Sequence, residues 1–178
     1  MRILSVDVGT RNLAMVLVDT AGVAKTAKIV YWNVIDMGQI KGTKSDISNL
    51  TLETLCDFDD TLVQVDRVYI EQQPRINATM VRVSHTIGAF YQMQAIYRGA
   101  DIDVAFVPAS CKDAYVNKQL GVKRTRIYKE RKQRATRVVQ GMTLPEHYKK
   151  QLDASKKKDD LCDCLLQLLA QAEIVSFL

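Results

Sequence analysis

Residues 2–19 read RILSVDVGTRNLAMVLVD, and this stretch decides the architecture. Residues 2–8 and 13–19 are short apolar runs rich in Val, Ile and Leu, and the Gly9–Asn12 link between them suits a hairpin. Working outward, residues 28–37 (KIVYWNVIDM) supply a third strand, with Gly22 marking the turn before it. Ser45 or Asp46 then caps a helix reaching about Val63, with Ile47, Leu50, Leu55, Phe58 and Leu62 as its inner stripe. A fourth strand, Arg67–Gln73, stops at Pro74, which cannot continue a central strand. A long helix over about 77–98 leads to a fifth strand at 102–107, broken by Pro108. Ser110 caps a helix to about Leu120, and residues 121–140 are helix-compatible with few apolar anchors. Pro145 and the lysines after it read as a linker. The last helix runs from about Ser155 to Ile174 and buries Leu161, Leu165, Leu168, Leu169 and Ala172. An antiparallel meander followed by crossover units predicts an α/β fold: a mixed five-stranded sheet with helices on both faces, in one domain spanning 1–178.

Composition narrows the class. Of the 178 residues 47% are hydrophobic and 25% charged, ordinary for a globular chain, and no apolar run is long enough to span a membrane. Asp7 stands where a signal peptide would be apolar, so the expectation is a protein that works where it is made. Cys56, Cys111, Cys162 and Cys164 form no C-x-x-C pair, and His85 and His147 are isolated, which argues against a zinc site and for free thiols. The net charge of +5 is unevenly spread. From Lys118 to Lys158 there are fourteen basic residues against Glu130, Glu146 and Asp153, a balance of +11, which leaves −6 for the remainder. A basic segment on an acidic body suggests a polyanion-binding surface beside a cation-binding site.

The acidic residues fall at telling places. Asp7 closes the first strand and Glu71 closes the fourth (VYIEQQP), each inside an apolar run where an unpaired charge is costly. Gly9 is expected to let the backbone turn close to whatever Asp7 holds. Asp160 and Asp163, at i, i+3 on the last helix, share a face, whereas Asp159 is expected to point elsewhere. Singly, each acid has an ordinary explanation as a turn cap or a helix-dipole partner. Together they predict an all-carboxylate pocket, self-repelling unless one or two Mg²⁺ ions bind.

Three segments carry a family resemblance: Ile3-Leu4-Ser5-Val6-Asp7-Val8-Gly9-Thr10-Arg11-Asn12, Tyr69-Ile70-Glu71-Gln72-Gln73, and Lys156-Lys157-Lys158-Asp159-Asp160-Leu161-Cys162-Asp163. In this order they resemble the RuvC-type Holliday junction resolvases, most closely those of poxviruses and related large DNA viruses. The resemblance covers Met1 to about Leu169 and implies a ribonuclease H-like fold. It also implies Asp7, Glu71, Asp160 and Asp163 as ligands of two Mg²⁺ ions, for which Mn²⁺ can substitute. Lys112, after the fifth strand, matches the family's lysine and would add charge stabilisation at the scissile phosphate. The implied activity is paired symmetric nicking of four-way DNA junctions, in recombination and in resolving replicated viral genome concatemers. A homodimer through the 77–98 helix is implied; Met80, Val83, Ile87, Phe90, Tyr91 and Gln94 make a stripe along it, part of which core packing against the sheet explains equally well. The host cytoplasm follows as location.

Two departures from the pattern stand out. Bacterial members place an aromatic residue where this chain has Pro74, and a longer basic insertion spans about 118–150. Expected DNA-binding residues are Arg11, Gln72, Gln73 and Arg75 near the strand ends, and Lys123, Arg124, Arg126, Lys129, Arg131, Lys132 and Arg134 in the insertion, gripping phosphates rather than reading bases. A ribonuclease H-like nuclease acting on flaps or RNA–DNA hybrids would use the same carboxylates. An actin-like ATPase shares D-x-G-T but needs a second domain. A silent junction-binding module would lack one of the four acids, and all four are present.

Overall fold

The computed structural model describes residues 1–21, 26–38, 46–58, 60–172, 174 and 176–178. Gly22 and Ser45, assigned above to a turn and a cap, lie outside them. Strands β1 (Arg2–Asp7), β2 (Asn12–Ala21) and β3 (Thr26–Asp36) form the antiparallel meander. Helices α1 (Ile47–Cys56) and α2 (Asp60–Val63) lead to β4 (Arg67–Gln72), which pairs parallel to β1. The long helix α3 (Ala78–Arg98) then returns the chain to β5 (Asp103–Pro108), parallel to β4. Four helices follow: α4 (Ser110–Leu120), α5 (Tyr128–Gln140), α6 (Glu146–Ala154) and α7 (Lys158–Gln171). The sheet order is β5-β4-β1-β2-β3-β6, so it has six strands rather than five. The extra strand β6 (Ser176–Phe177) is two residues long and pairs beside Thr26–Ala27, too short to leave an alternating pattern.

Strand parity divides the core in two. Along β1 and β2, Leu4, Val6, Leu13, Met15 and Leu17 point toward α1 and α3, whereas Ile3, Ala14, Val16 and Val18 point toward α4–α7. Asp7 shares the parity of Ile3, and Glu71 that of Tyr69, so both acids leave the sheet on the α7 side. Helix α7 is buried on nearly every side, with Leu161, Cys162, Cys164, Leu165, Leu166 and Leu168 at 0–1% exposure. Trp32 of β3 pins it by donating from Nε1 to the Leu161 carbonyl at 3.0 Å.

Several helices differ from the sequence expectation. The helix expected to reach Val63 ends at Cys56, with Asp57 as its C-cap, and a short turn of helix resumes at Asp60. Aspartates cluster there, and they disfavour a helix interior and the negative end of its dipole. The expected linker after Pro145 is α6, held by buried Tyr148 and Leu152. Tyr148 Oη donates to the Ile29 carbonyl at 3.2 Å, and the Gln151 amide donates to the Trp32 carbonyl. Helix α5, sparing in apolar residues, is anchored by Ala135, Val138 and Val139. Pro108 does not break β5 but ends it, pairing with Gln72 on an edge strand where a missing N–H is tolerated. Gly9 serves the hairpin itself, since a Cβ there would collide with the Asn12 carbonyl oxygen. Among the described residues no helix is long and apolar enough to cross a membrane.

Candidate active site

The parallel pairing of Val6 with Ile70 brings the ends of β1 and β4 side by side, and so places Asp7 next to Glu71. Asp163 approaches from the first half of α7. Lys112, in the first turn of α4, reaches into the space between them. Its Nζ lies 2.9 Å from Asp7 Oδ1, 2.9 Å from Glu71 Oε1 and 3.3 Å from Asp163 Oδ2. Because these contacts meet at one nitrogen, the three carboxylate oxygens lie within about 6 Å of one another. All four side chains are only 10–16% exposed, so their charges interact with little screening by water.

The electrostatics follow from that burial. Desolvation pushes the Asp7 carboxyl up to about 8, against the pull of Lys112 and with a further push from Glu71 and Asp163. Burial works against the Lys112 ammonium too, yet the three carboxylates outweigh it and hold its pKa well above the usual lysine value. A second ammonium comes from α5. Lys132 Nζ lies 2.8 Å from Asp163 Oδ2 and 3.4 Å from Asp159 Oδ2, so Asp159 does not point away but shares a cation with Asp163 one turn on. Its pKa is also raised, the Asp163 contact overcoming partial burial.

Asp160 is placed differently from the other three acids. Its carboxylate is 25% exposed, its nearest cation is Lys157 at 3.9 Å, and it does not line the cavity of about 310 Å³ bounded by Asp7, Glu71, Lys112, Lys132 and Asp163. Partial burial and the neighbouring Asp159 raise its pKa. The donors are all oxygen, the chemistry Mg²⁺ and Mn²⁺ prefer. Among the described residues no three acids close to metal-ligand spacing as they stand, because their oxygens surround an ammonium. The position these carboxylates surround is filled by the Lys112 ammonium, so a divalent ion would have to take its place.

Of the residues expected to bind DNA, several have work inside the protein. Gln73 Nε2 donates to Glu71 Oε2 at 2.9 Å and so orients that carboxylate. Arg131 pairs with Asp113 at 3.0 Å. Arg134 bridges Glu130 at 2.5 Å, Asn117 at 3.0 Å and the Lys123 carbonyl at 2.7 Å, tying α5 to α4 and its following loop. Arg11 meets Asp36 at 3.4 Å on the surface. Gln72, Arg75, Lys123, Arg124, Arg126 and Lys129 are exposed.

Sequence reasoning missed Gln167. It is fully buried, and its Nε2 lies 3.1 Å from Ser5 Oγ, the Val6 carbonyl and the Tyr69 carbonyl. One amide thus bridges β1 and β4 just before Asp7 and Glu71, one helical turn beyond Asp163. Its Oε1 has no partner among the described atoms. The signal was there: a lone amide in the apolar run from Cys164 to Leu169.

The chain is similar in fold to solved junction resolvases. Fowlpox virus resolvase, crystallised with Holliday junction DNA, matches over 97% of each chain with a TM-score of 0.64 at 19% identity. The yeast mitochondrial Holliday junction resolvase Ydc2 matches with a TM-score of 0.67 at 14% identity, over 96% of this chain and 78% of its own. RuvC of T. thermophilus, in complex with a Holliday junction substrate, gives 0.51 at 17%, over 97% and 94%. Among curated protein sequences none matches. The family profile of the Poxvirus A22 protein matches residues 1–172, nearly the whole chain. The chain therefore belongs to the poxvirus A22 protein family.

Proposed function

We propose that the protein is a Mg²⁺-dependent Holliday junction resolvase that makes paired, symmetric nicks in four-way DNA junctions. The observation that carries this is the convergence of Asp7, Glu71 and Asp163, from two strands and a helix, on one buried cation position at the rim of a basic helix. Relatives of the same fold that are named as resolvases and crystallised with junction DNA support the substrate class.

In this account Asp7, Glu71 and Asp163 would hold the divalent ions with Asp160 as the fourth carboxylate, and Mn²⁺ would substitute for Mg²⁺. Bound Mg²⁺ supplies water activation and neutralisation of the charge at the leaving 3′-oxygen. With the carboxylates neutralised by the metal, the Lys112 ammonium would be available to the scissile phosphate. Lys132 adds a second positive charge at the Asp163 oxygen that Lys112 also touches, and Gln73 keeps Glu71 aimed at the pocket. The exposed cations Arg75, Lys123, Arg124, Arg126 and Lys129 grip phosphates of the junction arms.

Cutting two opposed strands requires two sites, hence a two-fold dimer through α3. The stripe expected for it is mostly core: Val83, Ile87, Phe90 and Tyr91 are buried against the sheet. The outer face of α3 carries Met93, Ile96 and Tyr97 at 67%, 83% and 88% exposure, and this face is the dimer surface in our account. The resolvase acts in the host cytoplasm on branched replication products. Incubating the protein in Mg²⁺ with a four-way junction, a flap, a linear duplex and an RNA–DNA hybrid tests the assignment. Paired nicks confined to the junction are expected; faster cutting of the hybrid or the flap contradicts it.

A further inference from the structure

Tyr128 opens helix α5 and sits between two cavities. It lines the carboxylate cavity together with Asp7, Glu71, Lys112 and Asp163. It also lines a second cavity, of about 560 Å³, that follows the outer face of α5 past Lys129, Gln133 and Arg137. Lys132 borders both, so the two spaces meet at this pair of residues. The second cavity is basic, and its one acid, Asp159, is already paired with Lys132.

Tyr128 does little for the fold. Its side chain is 63% exposed, and among the described residues no other aromatic ring packs on it. Two cations flank it instead, Arg131 Cζ and Lys132 Nζ, each 5.8 Å from the ring centroid. Ile127 beside it is 64% exposed. A bare aromatic ring on a cationic track is the arrangement by which proteins hold unpaired nucleotides, the cations taking phosphates and the ring a base face. Bases within a linear duplex are stacked and paired, and offer no free face. At an open branch point stacking is interrupted, so the pairs flanking the crossing open more readily and free a base face.

We infer that Tyr128 is a stacking platform for an unpaired base next to the phosphate held at the carboxylates, and that the strand continues along the outer face of α5. The ring thereby contributes to selectivity for branched over linear DNA. This rests on the nuclease proposal above for the position of the phosphate.

The test uses full-length protein in EDTA, so that no cutting occurs, and a four-way junction carrying 2-aminopurine next to the cleavage point. Wild type, Y128F and Y128W quench the fluorescent base on binding, and Y128A does not. Y128A binds the junction about tenfold more weakly, a loss of ~1.4 kcal/mol, the size of one base stack, while its affinity for linear duplex changes less than about twofold. Two results overturn the inference: Y128A binding and quenching like wild type, or Y128F losing as much as Y128A, which would make the hydroxyl the active group. The nuclease proposal fails separately, by wild type leaving the junction uncut in Mg²⁺.

Discussion

Replacing Lys112 with methionine removes the one cation that Asp7 and Glu71 share among the described residues. Both carboxylates are 14% exposed and both lie 2.9 Å from the lost ammonium, whereas Asp163 retains Lys132 at 2.8 Å. Breaking a buried ion pair from one side costs about 3–5 kcal/mol, because a desolvated charge is left behind. For a chain of this size that corresponds to a melting-temperature drop of roughly 6–20 °C in EDTA. The drop depends on pH. Asp7 is already pushed up to about 8 in the folded chain, from an ordinary 3.8, so the folded state binds the extra proton between these values. Stability of the metal-free protein therefore falls as pH rises from about 4 to about 8, by at most ~1.4 kcal/mol per pH unit. K112M lifts Asp7 further and extends the fall to higher pH, so its deficit is larger at pH 9 than at pH 6. Adding Mg²⁺ at a hundred times its dissociation constant returns about 2.7 kcal/mol. The variant binds that ion more tightly than wild type, whose carboxylates must first give up Lys112. Calorimetric melts of both proteins at pH 6 and pH 9, with EDTA or Mg²⁺, read all of this. Equal melting temperatures in EDTA, or a deficit that shrinks with rising pH, refute the reasoning.

Two further outcomes follow from named contacts. Gln167→Leu leaves the Val6 and Tyr69 carbonyls without their buried donor, and should cost about 1–3 kcal/mol in urea melts and raise the Mg²⁺ concentration needed for half-maximal cleavage. A variant with unchanged Mg²⁺ dependence would reduce Gln167 to a purely structural strut. Ile96→Glu with Tyr97→Glu places charges on the exposed end of α3; sedimentation should show monomers with a melting temperature of the folded unit within a few degrees of a dilute wild-type sample. A persistent dimer moves the interface elsewhere.

Strands and their order were legible because hydrophobic period and chain punctuation are local. Asp7 and Glu71 stood out as charges in apolar runs, and parallel strands with matched ends put them together. Asp163 could be placed with them because Leu161 and Leu165 fix the inward face of α7. What the sequence hid was set by tertiary partners. Lys132 falls in a run of cations that looks alike along its length, and only the packing of α5 over α7 singles it out. The proline and lysines of α6 read as a linker, although Leu144, Tyr148 and Leu152 recur at helical spacing and are all buried. The α3 stripe is mostly core, the sheet-packing explanation that periodicity leaves open, because periodicity reveals a buried face without saying whether a sheet or a second copy covers it. β6 escaped because two residues make no pattern.

The central claim is that Asp7, Glu71 and Asp163 exchange a lysine for divalent ions. Anomalous scattering from crystals equilibrated with Mn²⁺ tests it directly. A peak should lie about 2.0–2.2 Å from oxygens of Asp7 and its partner acids, with Lys112 Nζ withdrawn from their midst and a second, weaker peak toward Asp160. Lys112 still seated at 2.9 Å from Asp7 and Glu71, with no ion beside them at a Mn²⁺ concentration that supports junction cleavage, would contradict the account.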